Sequence, residues 1–438
     1  MHAISTSHRR RLIIPFGIVA FLAIPAVVLR LSGIEPDPLV GILVYGAAIV
    51  GAAFALAWAG EAAEVDISGG LAVGLLAIIA ILPEYAIDLY FAFSAGSDPS
   101  QAQYAAANMT GSNRLLLGFG WPFILLVAFL VYRSAKARRQ AIDPDVTAKP
   151  FAVRLPRDNR VELGLLIIAS VLTLLIPLTG QIHILLGILL LSLFGYYLWR
   201  VSRAETGEPD LAGVPLAIGS LPKVARRVTV IGIFAVSAIL ILLLAEPFAH
   251  SLIQGGRAVG IDDFLLVQWL APLASEAPEF VIAILFAVRG KAAMGVGILL
   301  ASKVNQWTAL VGTLPIAHAM GGGGWALPMD GRQVEEFVLT ATQTLLGVAM
   351  LIGLRFSGRW ATVLFVLFVT TFFFTSTEAR WIVSGIYAAL AVILFAVNAR
   401  RLPGTLAAPF ASLRARDHDH DHHDDDHHDA PRETLATR

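Results

Sequence analysis

The chain has 438 residues, 57% of them apolar and 15% charged, with mean hydropathy +0.73, a composition outside the range of soluble globular proteins. Its 32 Lys and Arg balance 32 Asp and Glu, and it contains no Cys. That balance argues against a nucleic-acid partner, and the missing thiols exclude disulfides, thiolate metal sites and Cys nucleophiles.

Stretches poor in charge, each near the roughly 20 residues that cross a hydrocarbon core, predict twelve spans. They run 11–31, 39–60, 69–95, 104–132, 161–178, 181–200, 226–247, 264–288, 293–318, 334–354, 360–375 and 379–399. Unpaired backbone groups cannot face lipid, and these runs lack the two-residue alternation of a barrel, so helices are expected. The fold class is therefore an all-α polytopic membrane protein whose first partner is the lipid bilayer. The first span follows Arg9, Arg10 and Arg11, and its apolar run of about 18 residues is long for a signal peptide, so it reads as a retained helix. Span 104–132 is long enough to be broken, and 360–375 is short.

Lys and Arg collect in short cytoplasmic loops. With the N-terminus inside, the inside segments hold 26 of these residues, eight of them in 133–160, while the outside segments hold only Arg30, Arg257, Arg332 and Arg380. Both termini are thus expected in the cytoplasm, with the protein in the cytoplasmic (plasma) membrane.

An internal repeat lies under this pattern. At an offset of 195, Pro-Glu-Tyr-Ala-Ile-Asp-Leu-Tyr-Phe-Ala from Pro83 aligns with Pro-Glu-Phe-Val-Ile-Ala-Ile-Leu-Phe-Ala from Pro278, with five of ten positions identical. Each copy precedes a helix with small and polar residues, Asn108 to Arg114 and Gly297 to Asn305. The two Pro-Glu helices are spans three and eight, an odd number of crossings apart, so the repeat is inverted.

Proline inside a helix removes a hydrogen bond and displaces the carbonyl four residues back, here Ile79 and Ala274. Glu84 and Glu279 then lie near mid-bilayer, where a bare charge costs several kcal/mol or more. Asp88 and Glu276, four residues after and three before these glutamates, lie on the same helical faces, so four acids are expected to converge. Freed carbonyls and carboxylates suit a hard cation such as Ca²⁺ or Na⁺. Asn108, Ser112, Asn113, Ser302, Asn305 and Gln306 can add neutral oxygens, although such residues also serve as packing contacts between helices.

With these residues in place, the sequence resembles the calcium:cation antiporter superfamily, which includes sodium/calcium and cation/proton exchangers. Its two repeats read G-T-S-x-P-E and then G-N-x-x-G-S-N. Pro83-Glu84, Asn108, Gly111-Ser112-Asn113, Pro278-Glu279 and Ser302 carry the resemblance. The resemblance implies Glu84 and Glu279 as central cation-binding carboxylates with Asn108 and Ser112 as further ligands. It also implies two inverted five-helix halves, 36–203 and 226–376, joined by a cytoplasmic link at 204–225. Extra helices in 1–35 and 377–400 and a tail at 401–438 complete the organisation.

Departures accompany the match. The G-T-S triplet reads Ile79-Ala80-Ile81 and Ala274-Ser275-Glu276, while Ile298 and Lys303 stand where the second repeat would carry Asn. Lys303 and Arg114 therefore stand beside the site as charge-modulating residues. Either they partly replace a monovalent cation, favouring proton coupling, or they pair with acids and stabilise the fold.

The tail stretch 417–429 contains seven Asp and six His (His418, His420, His422, His423, His427, His428) and nothing else. It is expected to be disordered, and its imidazoles suit a divalent transition metal such as Zn²⁺ or Ni²⁺. No phosphate loop or zinc-protease motif is present. The reading is a secondary antiporter, without enzymatic activity or cofactor, that exchanges a cation, Ca²⁺ first, for Na⁺ or H⁺. Na⁺/H⁺ exchange, transition-metal export by the same fold and a membrane metal sensor are the alternatives.

Overall fold

The computed structural model describes residues 6–66, 82–138, 144–148, 151–203, 211–373 and 376–411. The tail histidines and the Ile79-Ala80-Ile81 triplet lie outside these residues.

In chain order the helices are α1 (Thr6–Ser32), α2 (Pro38–Ala63), α3 (described from Leu82, to Ala95), α4 (Ala102–Leu115), α5 (Trp121–Ala137), α6 (Arg160–Thr173), α7 (Leu175–Thr179), α8 (Ile184–Val201), α9 (Gly213–Gly219) and α10 (Lys223–Val259). They continue as α11 (Asp263–Ser275), α12 (Ala277–Val288), α13 (Ala292–Asn305), α14 (Val311–Met320), α15 (Gly331–Leu351), α16 (Gly358–Phe373), α17 (Thr377–Val397) and α18 (Leu402–Ala407). Over the described residues each predicted span falls mainly on helix, and the all-α polytopic class stands. Among the described residues eight helices are long and apolar enough to cross a membrane by themselves, or nine if the bent pair α11 and α12 counts as one.

Three boundaries differ from expectation. The span predicted to end at 247 continues through Pro247 to Val259, and its 37 residues, about 55 Å at helical rise, outreach a core about 30 Å thick. The span 264–288 breaks at Glu276 with a 54° bend between its halves. Pro278 lacks the N–H that would continue α11, and it opens α12 at a position where that N–H has no helical partner anyway. The long span 104–132 is continuous but passes through a π-helical turn, Leu116–Gly120. A matching π turn, Gln306–Leu310, separates α13 from α14.

Small residues set the helix contacts, as expected where lipid removes most of the hydrophobic drive for association. The pair α2 and α10 packs extensively, with Gly46 against Phe248 and Gly41 against Ser251. The inverted repeat is visible in packing: α8 lies on α14 and the second π turn, and α16 lies on α5 and the first. By contrast α17 lies against α15. α15 is 83% buried over its apolar window, whereas α1 is 11% buried and turns residues such as Phe21 and Ile24 outward.

Short strands close the two ends of the bundle. β1 (Val146–Ala148), β2 (Phe151–Arg154) and β5 (Arg355–Ser357) form one antiparallel sheet; β3 (Gln181–His183) pairs with β4 (Ala326–Pro328) in another. The first joins connections predicted inside, the second connections predicted outside. Ion pairs follow the same division. Arg226 bonds Asp66 at 2.7 Å at one end, and Arg332 bonds Asp262 at 2.8 Å at the other.

Candidate cation site

The site is built where the Pro-Glu helices α3 and α12 meet α4 and α13. Pro83 and Glu84 lie in the first described turn of α3, and Pro278 and Glu279 in the first turn of α12. Glu279 thus stands at the positive end of a half-helix. Gly111 brings α4 against α11 so closely that a Cβ there would collide with the backbone carbonyl of Gln268. That contact sets Asn108 and Ser112 beside the acids.

Glu84, Asp88 and Glu276 are buried; Glu279 is partly exposed, with Oε2 buried. Gln306 links the halves: its Nε2 donates to Glu84 Oε2 at 3.2 Å and to Glu276 Oε1 at 2.6 Å. Ser112 lies beside Glu84, and Asn108 beside Asp88. Tyr85 donates its hydroxyl to Asn305 Oδ1 at 3.1 Å. Ser302 is partly exposed on α13. Glu84 Oε1, both Asp88 oxygens, Glu276 Oε2, Ser112 Oγ and the Asn108 amide have no hydrogen-bond partner among the described residues. Buried carboxylate oxygens without partners are costly in a low-dielectric interior, and they are hard donors of the type that Ca²⁺, Na⁺ or a proton satisfies.

The four acids do not converge as tightly as their spacing suggests. Glu276 is within electrostatic reach of Glu84, Glu279 and Asp88, yet among the described residues no three carboxylates or imidazoles stand close enough to hold an ion by themselves. The Gln306 amide bonds both Glu84 and Glu276, and a bound cation would need the neutral oxygens as well.

The two basic residues part company. Arg114 turns away from the acids. Its Nη1 bonds Glu336 Oε2 at 2.5 Å, its Nη2 donates to Thr371 Oγ1 at 2.6 Å, and the guanidinium lies 5.0 Å from the Trp269 ring centroid. Arg380 completes this cluster by pairing with Glu336 and, at 3.7 Å, with Glu335. All four charged groups are at most 2% exposed. Charge counting places Arg380 in an outside loop; the structure buries it in the first turns of α17. Arg114 therefore does not offset the four acids, because Glu336 takes up its charge. Lys303 is also buried, and its Nζ donates to the backbone oxygen and Oδ1 of Asn113, at 3.0 and 3.1 Å, with the Trp307 ring centroid 5.6 Å away. Asn113 Nδ2 donates in turn to the Met109 carbonyl, so both ends of that side chain are engaged. Sequence reasoning missed Glu335, Glu336 and Arg380, which sit at span ends and read as interfacial charges.

The family model described as sodium/calcium exchanger protein matches residues 38–203 and 229–399; its second match runs through α17. The crystal structure of the H⁺/Ca²⁺ exchanger CAX is similar over 92% of this chain and 98% of its own, at 34% identity and a TM-score of 0.84. The native structure of YfkE is similar in fold, at 18% identity over 86% of this chain and 100% of its own, with a TM-score of 0.56. Among curated proteins none matches the chain. The two matched blocks span most of the chain, which belongs to the sodium/calcium exchanger family of the calcium:cation antiporter superfamily.

Proposed function

We propose that this membrane antiporter exchanges Ca²⁺ for H⁺ or Na⁺ by alternating access, with Glu84 and Glu279 as the principal carboxylates. Glu276, Asp88, Asn108 and Ser112 complete the site, with Asn305 and Ser302 at its edge. The observation that supports this most is the set of buried carboxylate oxygens without partners among the described residues, gathered around Gln306 from the two Pro-Glu segments. Such acids need positive charge from outside the fold, either a cation or protons. Occupancy by one excludes the other, and that exclusion couples the two fluxes. The 34% identity to an H⁺/Ca²⁺ exchanger over nearly the whole chain favours calcium as cargo, and the all-oxygen donor set favours it over a transition metal.

In this reading the halves are 36–203 and 226–376, the link is 204–225, and 1–35 and 377–400 are additions. Both termini and the 401–438 tail face the cytoplasm across the cytoplasmic membrane, where the tail histidines would gather divalent transition metal without entering the transport cycle.

The test is radiolabelled Ca²⁺ uptake into proteoliposomes under an imposed outward H⁺ or Na⁺ gradient, for wild type, Glu84→Gln and Glu279→Gln. Gradient-driven uptake lost in both variants supports calcium exchange at this site and names the coupling ion. A folded wild-type protein with no uptake under either gradient overturns calcium as cargo and moves the reading to Na⁺/H⁺ exchange.

A further inference from the structure

Two cavities adjoin along α10. The first, of about 220 Å³, is polar and is lined by Arg30, Glu35, Tyr45, Glu246, His250 and Gln254. The second, of about 610 Å³, is an apolar crevice between α3, α10 and α14. Leu89, Phe93, Leu242 and Met320 line it, and Tyr85 stands in its wall. Glu246 belongs to both, and Tyr90 of the crevice packs against His250 of the polar cavity, ring centroids 6.4 Å apart.

The crevice offers hydrocarbon below Glu246, which suits neither a hydrated ion nor a water file. A charged pocket above an apolar slot, at the end of a transmembrane helix pair, has the polarity profile of one phospholipid. The charges narrow the headgroup. Arg30 Nη2 pairs with Glu246 Oε2 at 2.5 Å, but the two side chains remain 38% and 46% exposed, so each keeps a free face. A guanidinium matches a phosphate diester. Glu35 adds a second carboxylate to the same cavity, and carboxylates facing a phosphate-binding Arg match a primary ammonium. The side chain of Ile34, which lines the polar cavity and is 60% exposed, gives the mouth an apolar rim suited to lipid.

We propose that these joined cavities bind one amine-bearing phospholipid of the phosphatidylethanolamine type, its phosphate at Arg30, its ammonium at Glu246 and Glu35, and an acyl chain in the crevice toward Tyr85. The crevice ends on a residue whose hydroxyl bonds Asn305, one position from Gln306. This binding does not depend on which ions the protein exchanges.

The test is native mass spectrometry of the full chain, released from detergent after incubation with phosphatidylethanolamine, phosphatidylcholine and phosphatidylglycerol of matched acyl chains, with free phosphoethanolamine as a separate arm. Phosphatidylcholine keeps the charge but cannot donate hydrogen bonds, and phosphatidylglycerol lacks the cation. Phosphatidylethanolamine is expected to be retained about tenfold over both, as one charge-assisted hydrogen bond provides. Free phosphoethanolamine is expected not to be retained. Glu246→Gln should bring phosphatidylethanolamine to the level of phosphatidylcholine, and Leu242→Trp, which fills the crevice, should lower retention of all three lipids. Equal retention of the three by wild type, a preference that survives Glu246→Gln, or tight binding of the free headgroup would overturn the assignment. The wild-type headgroup comparison decides alone if a variant misfolds.

Discussion

Two buried polar clusters in this protein differ in how their charge is balanced. Around Gln306, three buried acids and the partly exposed Glu279 face neutral donors and no guanidinium. One helix further out, Glu335 and Glu336 face Arg114 and Arg380, so that cluster is neutral within itself. Both clusters draw on the same short stretch of α4, Ser112 to Arg114. A self-neutral cluster completes a fold and resists change; an acid-rich one needs charge from solution, which is what an exchanger can move.

The sharpest test of the contrast removes a carboxylate from the acid-rich cluster. Glu84→Gln and Glu276→Gln should each lower transport by about a hundredfold or more, as losing a charged ligand costs several kcal/mol, while leaving the melting temperature in detergent unchanged or raised. A fall in stability of the same size as in the balanced cluster would erase the distinction. In that second cluster, Arg114→Met strands Glu336 with one partner fewer and should destabilise the protein by about 3–5 kcal/mol, measured as loss of folded protein on heating.

Gln306→Leu removes two hydrogen bonds to acids without changing charge. The expected result is a rise in KM of about ten- to a hundredfold, with the fold intact by fluorescence-detected size exclusion. Gly111→Ala forces α4 from the Gln268 carbonyl, and overpacking of this kind costs about 1–3 kcal/mol, read by thermal unfolding.

The smallest effect is expected at the bundle end, where the Arg226 guanidinium holds the Asp66 carboxyl down at about 2. Because the folded value lies below the unfolded one, near 3.9, the pair contributes fully above about pH 4 and loses its contribution as pH falls through about 2. Asp66→Asn should therefore cost under about 1 kcal/mol at neutral pH and less in high salt, and the stability difference should vanish in acid.

The Pro-Glu repeat illustrates what could be read in advance. A proline removes one helical N–H wherever it stands, so a weak point before Pro278 was legible, but the sequence left 264–288 as one span and only the structure shows the 54° bend at Glu276. The tail histidines could also be read as a composition, but their placement lies outside the described residues. Arg380 and the glutamates at 335 and 336 could not be placed, because a charge at a span end looks the same whether it snorkels to water or turns inward to a partner. Only the packing of α17 on α15 separates those outcomes. Lys303 had the same ambiguity, settled by the approach of Asn113 from the other half.

The sequence by itself determined the membrane environment, the helical class and the repeated Pro-Glu pair. These rest on hydropathy, on backbone satisfaction in lipid and on the missing proline N–H, all of which act within a few residues. Tertiary structure alone decided which acids keep a counter-charge, since Arg114 and Lys303 meet partners about two hundred residues away in the chain, and contacts at that separation arise only when the two halves fold against each other.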